Sequence, residues 1–267
     1  MPNIENIPLE MLQEIFAYLE YKDLIFVPAV SPKLRSAIAM SPKLLASKLQ
    51  FAIASSSELD DFSEDVLDAV AEQINLAPLA MEAMTKLAAM IKSSLSQFQL
   101  CSRAAVVRCG ASLAASGHLT SLWYMRLRDM ELPSEHFPIL ARVVTGVVDL
   151  MNVSGDLAPL LANLSCSVGL YEMELDEEAT RGLVMGLQQG VEKLWLELDT
   201  RVHLEILLSY NGSGRCDMMG FKGDAANIYR EEVREWATSV NWGFIDHGGI
   251  WGIRVYKRSI YGDLDDQ

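Results

Sequence analysis

Three short stretches decide the fold of the larger part of this sequence: YMRLR at 124–128, VVDLM at 147–151 and KLWLE at 193–197. In each stretch apolar residues alternate with other residues, which is typical of a β-strand whose two faces meet different surroundings. The central apolar residues are Leu127, Leu150 and Leu196, and they are separated by one or two steps of 23 residues. Regular spacing of this kind predicts a repeated structural unit.

The same step of 23 residues continues through the rest of the chain and gives six central residues: Leu127, Leu150, Met173, Leu196, Met219 and Trp242. Stretches with helical periodicity lie between them, at 135–144, 157–164, 177–189, 203–209 and 225–238. Six strand–helix units predict a solenoid that resembles leucine-rich-repeat proteins, whose units run about 20–29 residues. A βαβ fold with a parallel sheet is the alternative interpretation.

The end of the chain carries a different signal. Residues 240–245 and 250–256 are β-like, and Asp246-His247-Gly248-Gly249 lies between them. This pattern predicts a hairpin that closes the exposed end of the sheet.

Alternation along the strands also predicts a binding face. If the central residues point to the core, the intervening ones line the open side of the sheet. The constant step places Trp195 beside Glu172, Glu174 and Glu197, and an indole among carboxylates favours a protein substrate with a basic segment. The predicted substrate-binding residues are Tyr124, Arg126, Asp149, Glu172, Glu174, Trp195, Glu197 and Met218. The alternative is that Trp195 is covered by its own chain.

Residues 1–50 have another character. Apolar residues from Leu9 to Leu19 recur at spacings of three and four, which predicts a helix that opens just after Pro8. Ser31 and Pro32 can open a further helix. Three short helices in about 45 residues cannot bury all their apolar side chains against one another, so some of them need a partner.

These residues resemble the F-box motif over about residues 4–45. The resemblance rests on the following residues: Ile7-Pro8, Leu12, Ile15-Phe16, Leu19, Asp23-Leu24, Val30-Ser31 and Arg35. Leu34 stands where the family usually has Trp, and Pro28 interrupts a stretch that is usually helical. The resemblance implies a three-helix head that docks to a Skp-type adaptor of SCF ubiquitin ligases and, through it, to a cullin scaffold. The adaptor-facing residues that it implies are Pro8, Leu9, Leu12, Ile15, Phe16, Leu19, Leu24 and Val30.

Together these patterns predict a mixed α+β to α/β protein with three parts: a head at 1–50, a helical linker at 51–118 and a substrate-binding repeat body at 119–267. The function expected is that of a non-catalytic substrate receptor of a ubiquitin ligase. The alternative is an interaction scaffold without a role in degradation, whose head packs internally or on another partner.

Composition limits the other classes. The 267 residues carry a net charge of −14, which disfavours nucleic acid and anionic membranes as partners. The first 20 residues hold four Glu and no Lys or Arg, so we expect a cytoplasmic or nuclear protein rather than a secreted one. The four cysteines and four histidines lack metal-ligand spacing, and no nucleophile or phosphate-binding motif is present. We therefore expect neither catalysis, nor a metal, nor a cofactor.

Overall fold

The computed structural model describes residues 6–39, 41–76, 79–96, 103–132, 135–248 and 252–262. The chain divides into two compact units, one of residues 1–94 and 105–119 and one of residues 95–104 and 120–267. The first unit thus contains residues of both the predicted head and the predicted linker. The division into three parts stays a prediction.

The first unit is helical. Its helices are α1 (Leu9–Phe16), α2 (Tyr21–Leu24), α3 (Val27–Val30), α4 (Pro32–Ala39), α5 (Pro42–Ser55), α6 (Glu64–Leu76), α7 (Met81–Ser96) and α8 (Ala104–Ala115), with a 3-10 turn at Leu59–Asp61. As predicted, α1 opens after Pro8, and the Ser31 hydroxyl caps α4 by accepting a hydrogen bond from the Leu34 N–H. Pro28 is the second residue of α3, where a missing N–H is tolerated.

A small core holds the head together. It consists of Leu12, Phe16, Leu24, Leu34, Ala37 and Ile38, all of them buried. Leu34, which departs from the F-box pattern, is one of these core residues and is only 3% exposed.

Helices α6 and α8 are joined by polar contacts as well as by apolar packing. The Arg108 guanidinium donates to both Asp68 oxygens at 2.6 and 2.7 Å, and the Cys109 thiol donates to the Leu67 carbonyl. A bidentate pair of this kind fixes the relative register of two helices more firmly than a single contact does.

In its described residues, the second unit is built on one sheet of seven strands in the order β1-β2-β3-β4-β5-β7-β6. Its strands are β1 (Leu122–Leu132), β2 (Val144–Gly155), β3 (Ser167–Tyr171), β4 (Lys193–Glu197), β5 (Met218–Phe221), β6 (Trp242–Asp246) and β7 (Ile253–Lys257). The helices between them are α9 (Phe137–Val143), α10 (Ala158–Asn163), α11 (Glu177–Gln189), α12 (Leu204–Leu207) and α13 (Asp224–Ser239), and α14 (Arg258–Tyr261) follows β7. Each of the five predicted helical stretches of the body overlaps one of the helices α9 to α13.

Strands β1 to β5 are parallel neighbours in chain order, but their spacing is not constant. The central residues that align across them are Leu127, Leu150, Leu170, Leu196 and Phe221. The successive steps are therefore 23, 20, 26 and 25 residues. The predicted central residues of two strands are therefore wrong. Met173 lies three residues after the central residue of β3, and Met219 lies two residues before that of β5. The reason is that burial of the central row sets the register, while the returning segments differ in length: α10 has 6 residues and α11 has 13.

A backbone conformation with positive φ recurs at the same place at the end of each parallel strand, although the spacing along the chain varies. The residue two positions after each central residue has a positive φ, between 48° and 63°: Asp129, Asn152, Glu172, Leu198 and Gly223. Only one of the five is glycine, so the turn is repeated without a glycine signature in the sequence. The repeated feature is thus the backbone conformation of the turn and not the type of residue that occupies it.

The sixth predicted unit is not confirmed as a further parallel strand–helix unit. Trp242 lies in β6, which pairs antiparallel with β7, and β7 in turn pairs antiparallel with β5. The predicted C-terminal hairpin is therefore confirmed in its two strands; of its predicted turn at 246–249, residue 249 lies outside the described residues. Trp242 of this hairpin meets Trp236 edge-on, with 5.3 Å between the ring centroids, and Tyr210 packs against both.

Candidate functional site: two interaction surfaces

The first surface is the outward side of α1. Pro8, Met11, Ile15 and Tyr18 recur at spacings of three and four, and all four are exposed, Tyr18 by 90%. We call these four residues the α1 row. The other side of the same helix carries Leu12 and Phe16 into the head core. Helix α1 is therefore apolar on two sides, and only one of them is used within the head.

The residues implied by the F-box resemblance divide accordingly. Pro8, Ile15 and Val30 are exposed, Leu9 and Leu19 are half-buried, and Leu12, Phe16 and Leu24 lie in the head core. Their role toward an adaptor stays a prediction. Three further exposed apolar residues were missed, namely Met11, Tyr18 and Phe26. Helical spacing could have found Met11 and Tyr18, since they continue the row that contains Pro8 and Ile15.

The second surface is the face of the sheet opposite the central row. The central row and the row two residues before it, Met125, Val148, Val168, Leu194 and Met219, are almost completely buried. The intervening positions form the open face, as alternation predicted for β1, β2 and β4. Leu170 is the exception in β3: the constant step assigned it to the open face, and it is fully buried in the central row.

A polar cluster occupies one end of this face. Asp149 is 6% exposed and accepts hydrogen bonds from the Tyr124 hydroxyl at 2.6 Å and from Arg126 at 2.7 Å. Burial, and then the charges of Asp149 and Glu197, raise the pKa of Tyr171 to about 12. Three of the predicted substrate-binding residues thus meet, but they bind one another. A buried, fully paired group of this type is most simply a rigid part of the surface.

Trp195 lies further along the open face and is half-buried. In its row it is paired with Gly169 of β3 and Gly220 of β5. A Cβ on Gly220 would lie 2.2 Å from the indole ring, so the ring rests directly on the backbone of β5. The Lys222 ammonium lies 5.2 Å and the Arg254 guanidinium 5.3 Å from the ring centroid. Lys222 also donates to Glu197 at 2.7 Å.

The predicted ring of three carboxylates around Trp195 is wrong. Because β3 follows β2 after 20 residues and not 23, Gly169 takes the place next to Trp195. Glu172 and Glu174 lie beyond the end of β3, both exposed, and line a depression of about 310 Å³ that also includes Asn152, Ser154 and Asp176. Met218 is half-buried on the open face beside Lys193 and Tyr256.

Arg254 was missed because it reaches Trp195 only through the pairing of β7 with β5. Nothing in the local sequence indicates that residues 253–257 insert between β5 and β6. Lys222 could have been found, since it lies two residues after Gly220 and so has the parity of the open face.

Within the described ranges, no group of three His, Cys, Asp or Glu side chains is arranged to hold a metal ion. Cys109, Cys166 and Cys216 are buried free thiols, and burial raises the pKa of each to about 12. Cys101 lies outside the described residues. No helix in the described part of the chain is long and apolar enough to cross a membrane.

Comparison with known proteins gave one match. No curated protein and no solved structure matches the chain. Residues 4–45 match the family model of the F-box domain. This match agrees with the resemblance seen in the sequence and contains all four residues of the α1 row. It covers 42 of the 267 residues, so the chain carries, over about a sixth of its length, a segment similar to the F-box domain.

Proposed function

We propose that this protein is a substrate-recognition subunit of an SCF-type ubiquitin ligase. The observation that carries the proposal is the coincidence of the F-box match at 4–45 with an outward apolar side of α1. An F-box domain implies docking to a Skp-type adaptor, and the adaptor would in turn connect the chain to a cullin.

The α1 row supplies what a helix-in-groove contact needs. Such contacts depend on apolar anchors spaced by three or four residues along one helix. The row has this spacing over two turns, and Phe26 and Val30 add exposed apolar area in the following segment. Leu12 and Phe16 would support the contact indirectly, because they hold α1 against the head core.

The body would bind the protein substrate on the open face of its sheet. A sheet face made of rigid strands positions side chains more accurately than loops do, and the Asp149 cluster and Trp195 give this face chemical character. The chain would contribute no catalytic group. It would act by holding a substrate lysine close to the ubiquitin-charged enzyme, which raises the effective concentration of the two reactants.

Binding of the full chain to a Skp adaptor, measured by calorimetry, tests the first half of this proposal. We expect wild-type protein to bind and the Met11→Ala and Ile15→Ala variants each to bind about tenfold more weakly, since truncation of a central anchor costs about 1–2 kcal/mol. Met81→Ala is the matched control, because it removes an equally apolar, 70% exposed side chain from α7.

Two results would contradict the proposal in different ways. If wild-type protein fails to bind the adaptor, the ligase assignment falls and the interaction scaffold becomes the better interpretation. If wild-type protein binds but both α1 variants bind equally well, the α1 row is not the docking surface.

A further inference from the structure

The open face around Trp195 differs in charge from the rest of the protein. Its cations are Arg126, Lys193, Lys222 and Arg254, and its carboxylates are Asp149 and Glu197. Four cations against two carboxylates leave two positive charges on this face, within a chain of net charge −14. We call these six residues together with Trp195 the Trp195 patch.

Ion pairs neutralise only part of the patch. Arg126 is paired with Asp149 and Lys222 with Glu197. Lys193 and Arg254 form no ion pair with any residue in the described part of the chain. Arg128, at the rim, is balanced by Asp129 at 3.0 Å. The two cations in excess are therefore Lys193 on β4 and Arg254 on β7.

Arg254 has a buried hydrogen-bond donor for which the described residues supply no acceptor. The indole of Trp195 supports its guanidinium at 5.3 Å, and its Nε atom is buried without a hydrogen-bond acceptor. A desolvated donor without an acceptor is destabilising. A partner carboxylate would not reach this buried atom; it would bind the terminal N–H groups of the half-buried guanidinium, where two parallel hydrogen bonds can form.

Trp195 contributes the apolar half of the site. A Cβ at position 220 would overlap its ring, so only glycine can be accommodated there. The half-buried ring lies 5.2 Å from the Lys222 ammonium and 5.3 Å from the Arg254 guanidinium, so it offers an apolar surface beside Arg254. Positive charge next to a rigid aromatic surface fits an acidic side chain whose methylene groups can pack on the ring.

From these contacts we infer that the Trp195 patch binds an acidic peptide segment of a protein partner, with a partner carboxylate on Arg254 and a second one toward Lys193. This inference rests on the proposed function, because it names the substrate class of the open face. It reverses the basic partner predicted from the sequence. The reason for the reversal is that β7 pairs Arg254 with Gly220, from where its guanidinium reaches the Trp195 ring, whereas β3 does not bring Glu172 beside that ring.

The test uses the full chain and two fluorescein-labelled peptides, one of alternating Glu and Gly residues and one of alternating Lys and Gly residues. Fluorescence anisotropy should detect binding of the Glu peptide and not of the Lys peptide. Binding should weaken strongly between about 0.1 M and about 1 M salt, as expected for charge-dependent contacts. Arg254→Gln should weaken binding of the Glu peptide by at least tenfold, and Arg254→Lys by less. Arg181→Gln is the matched control, since Arg181 is an exposed arginine on α11.

Several outcomes would overturn the inference. These are preferential binding of the Lys peptide, unchanged affinity in Arg254→Gln, binding only when the peptide carries phosphoserine in place of Glu, or binding only after deletion of residues 263–267. The last result would mean that this chain's own acidic segment DLDDQ is the occupant.

Adaptor binding is measured on the same samples. If it is retained while the Glu peptide fails to bind, the peptide inference alone is rejected. If wild-type protein does not bind the adaptor at all, the proposed function is rejected.

Discussion

The head and the body dispose of their apolar residues in opposite ways. In the body, the two inward rows of β1 to β5 are buried almost completely, because each parallel strand and its returning segment cover the neighbouring unit. In the head, α1 buries Leu12 and Phe16, whereas Met11 and Ile15 of α1 and Tyr18 just after it are exposed. Four short helices can enclose a core of only a few side chains. Exposed apolar side chains are therefore concentrated in the segment that is too small to cover them, and this is where a partner is proposed to dock.

The largest effect should come from breaking the central row of the body. Leu150 is fully buried and paired with both Leu127 and Leu170. Leu150→Asp should therefore unfold the body, with a loss above about 4 kcal/mol, because an unpaired carboxylate would enter the core. Circular dichroism melting is the measurement. Met151→Asp is the control, since Met151 is the next residue of the same strand and faces the open side. If both variants melt alike, the assignment of the two faces is wrong.

A smaller effect should separate the two sides of α1. Phe16→Ala removes a side chain that is 4% exposed from the head core, so we expect a loss of about 3 kcal/mol. Ile15→Ala removes an exposed side chain and should change stability by less than about 0.5 kcal/mol. Thermal melting of the full chain, or hydrogen exchange at the amides of α1, measures the difference. Equal losses would remove the distinction between an inward and an outward side of α1.

Tyr171 on the open face should make the free energy of unfolding of the body depend on pH in the alkaline range. The pKa of Tyr171 is raised from 10.0 to about 12 in the folded state, chiefly by burial. The unfolded chain therefore releases this proton first, and the stability that Tyr171 contributes is lost as the pH rises from about 10 to about 12. Melting temperatures at the two ends of this window should differ less in Tyr171→Phe than in wild-type protein. An identical pH dependence in both would show that Tyr171 is not buried on this face.

The smallest expected effect concerns the turn that ends each parallel strand. Leu198 has a φ of 56° and is 45% exposed, so its side chain gains little from packing while its backbone is strained. Leu198→Gly should stabilise the body by up to about 1 kcal/mol. Met185→Gly is the opposite control, because Met185 lies in α11, where glycine costs about 1 kcal/mol. Chemical denaturation resolves differences of this size. Destabilisation by Leu198→Gly would mean that the leucine side chain has a packing role.

Much of the architecture was readable because it depends on local patterns. The helices at the positions of α9 to α13, the two strands of the hairpin and the opening of α1 after Pro8 all follow from periodicity and from capping or turn residues that lie within a few positions of one another. The F-box segment was readable for the same reason, since its residues act within about 40 positions and the family match at 4–45 agrees with them.

The pairing register of the strands, and hence the residues that surround Trp195, could not be predicted in the same way. The sequence by itself determined which residues alternate and which helices form, and hence that Trp195 lies opposite Leu194 and Leu196. Only the tertiary structure decided what surrounds Trp195, because strands that pair side by side are far apart in the chain and the segments between them differ in length. A shift of three residues in β3 replaced Glu172 by Gly169, and the antiparallel insertion of β7 brought Arg254 to the ring. The charge expected around Trp195 was therefore reversed, since it depends on pairing across the sheet and not on the strand that carries the indole.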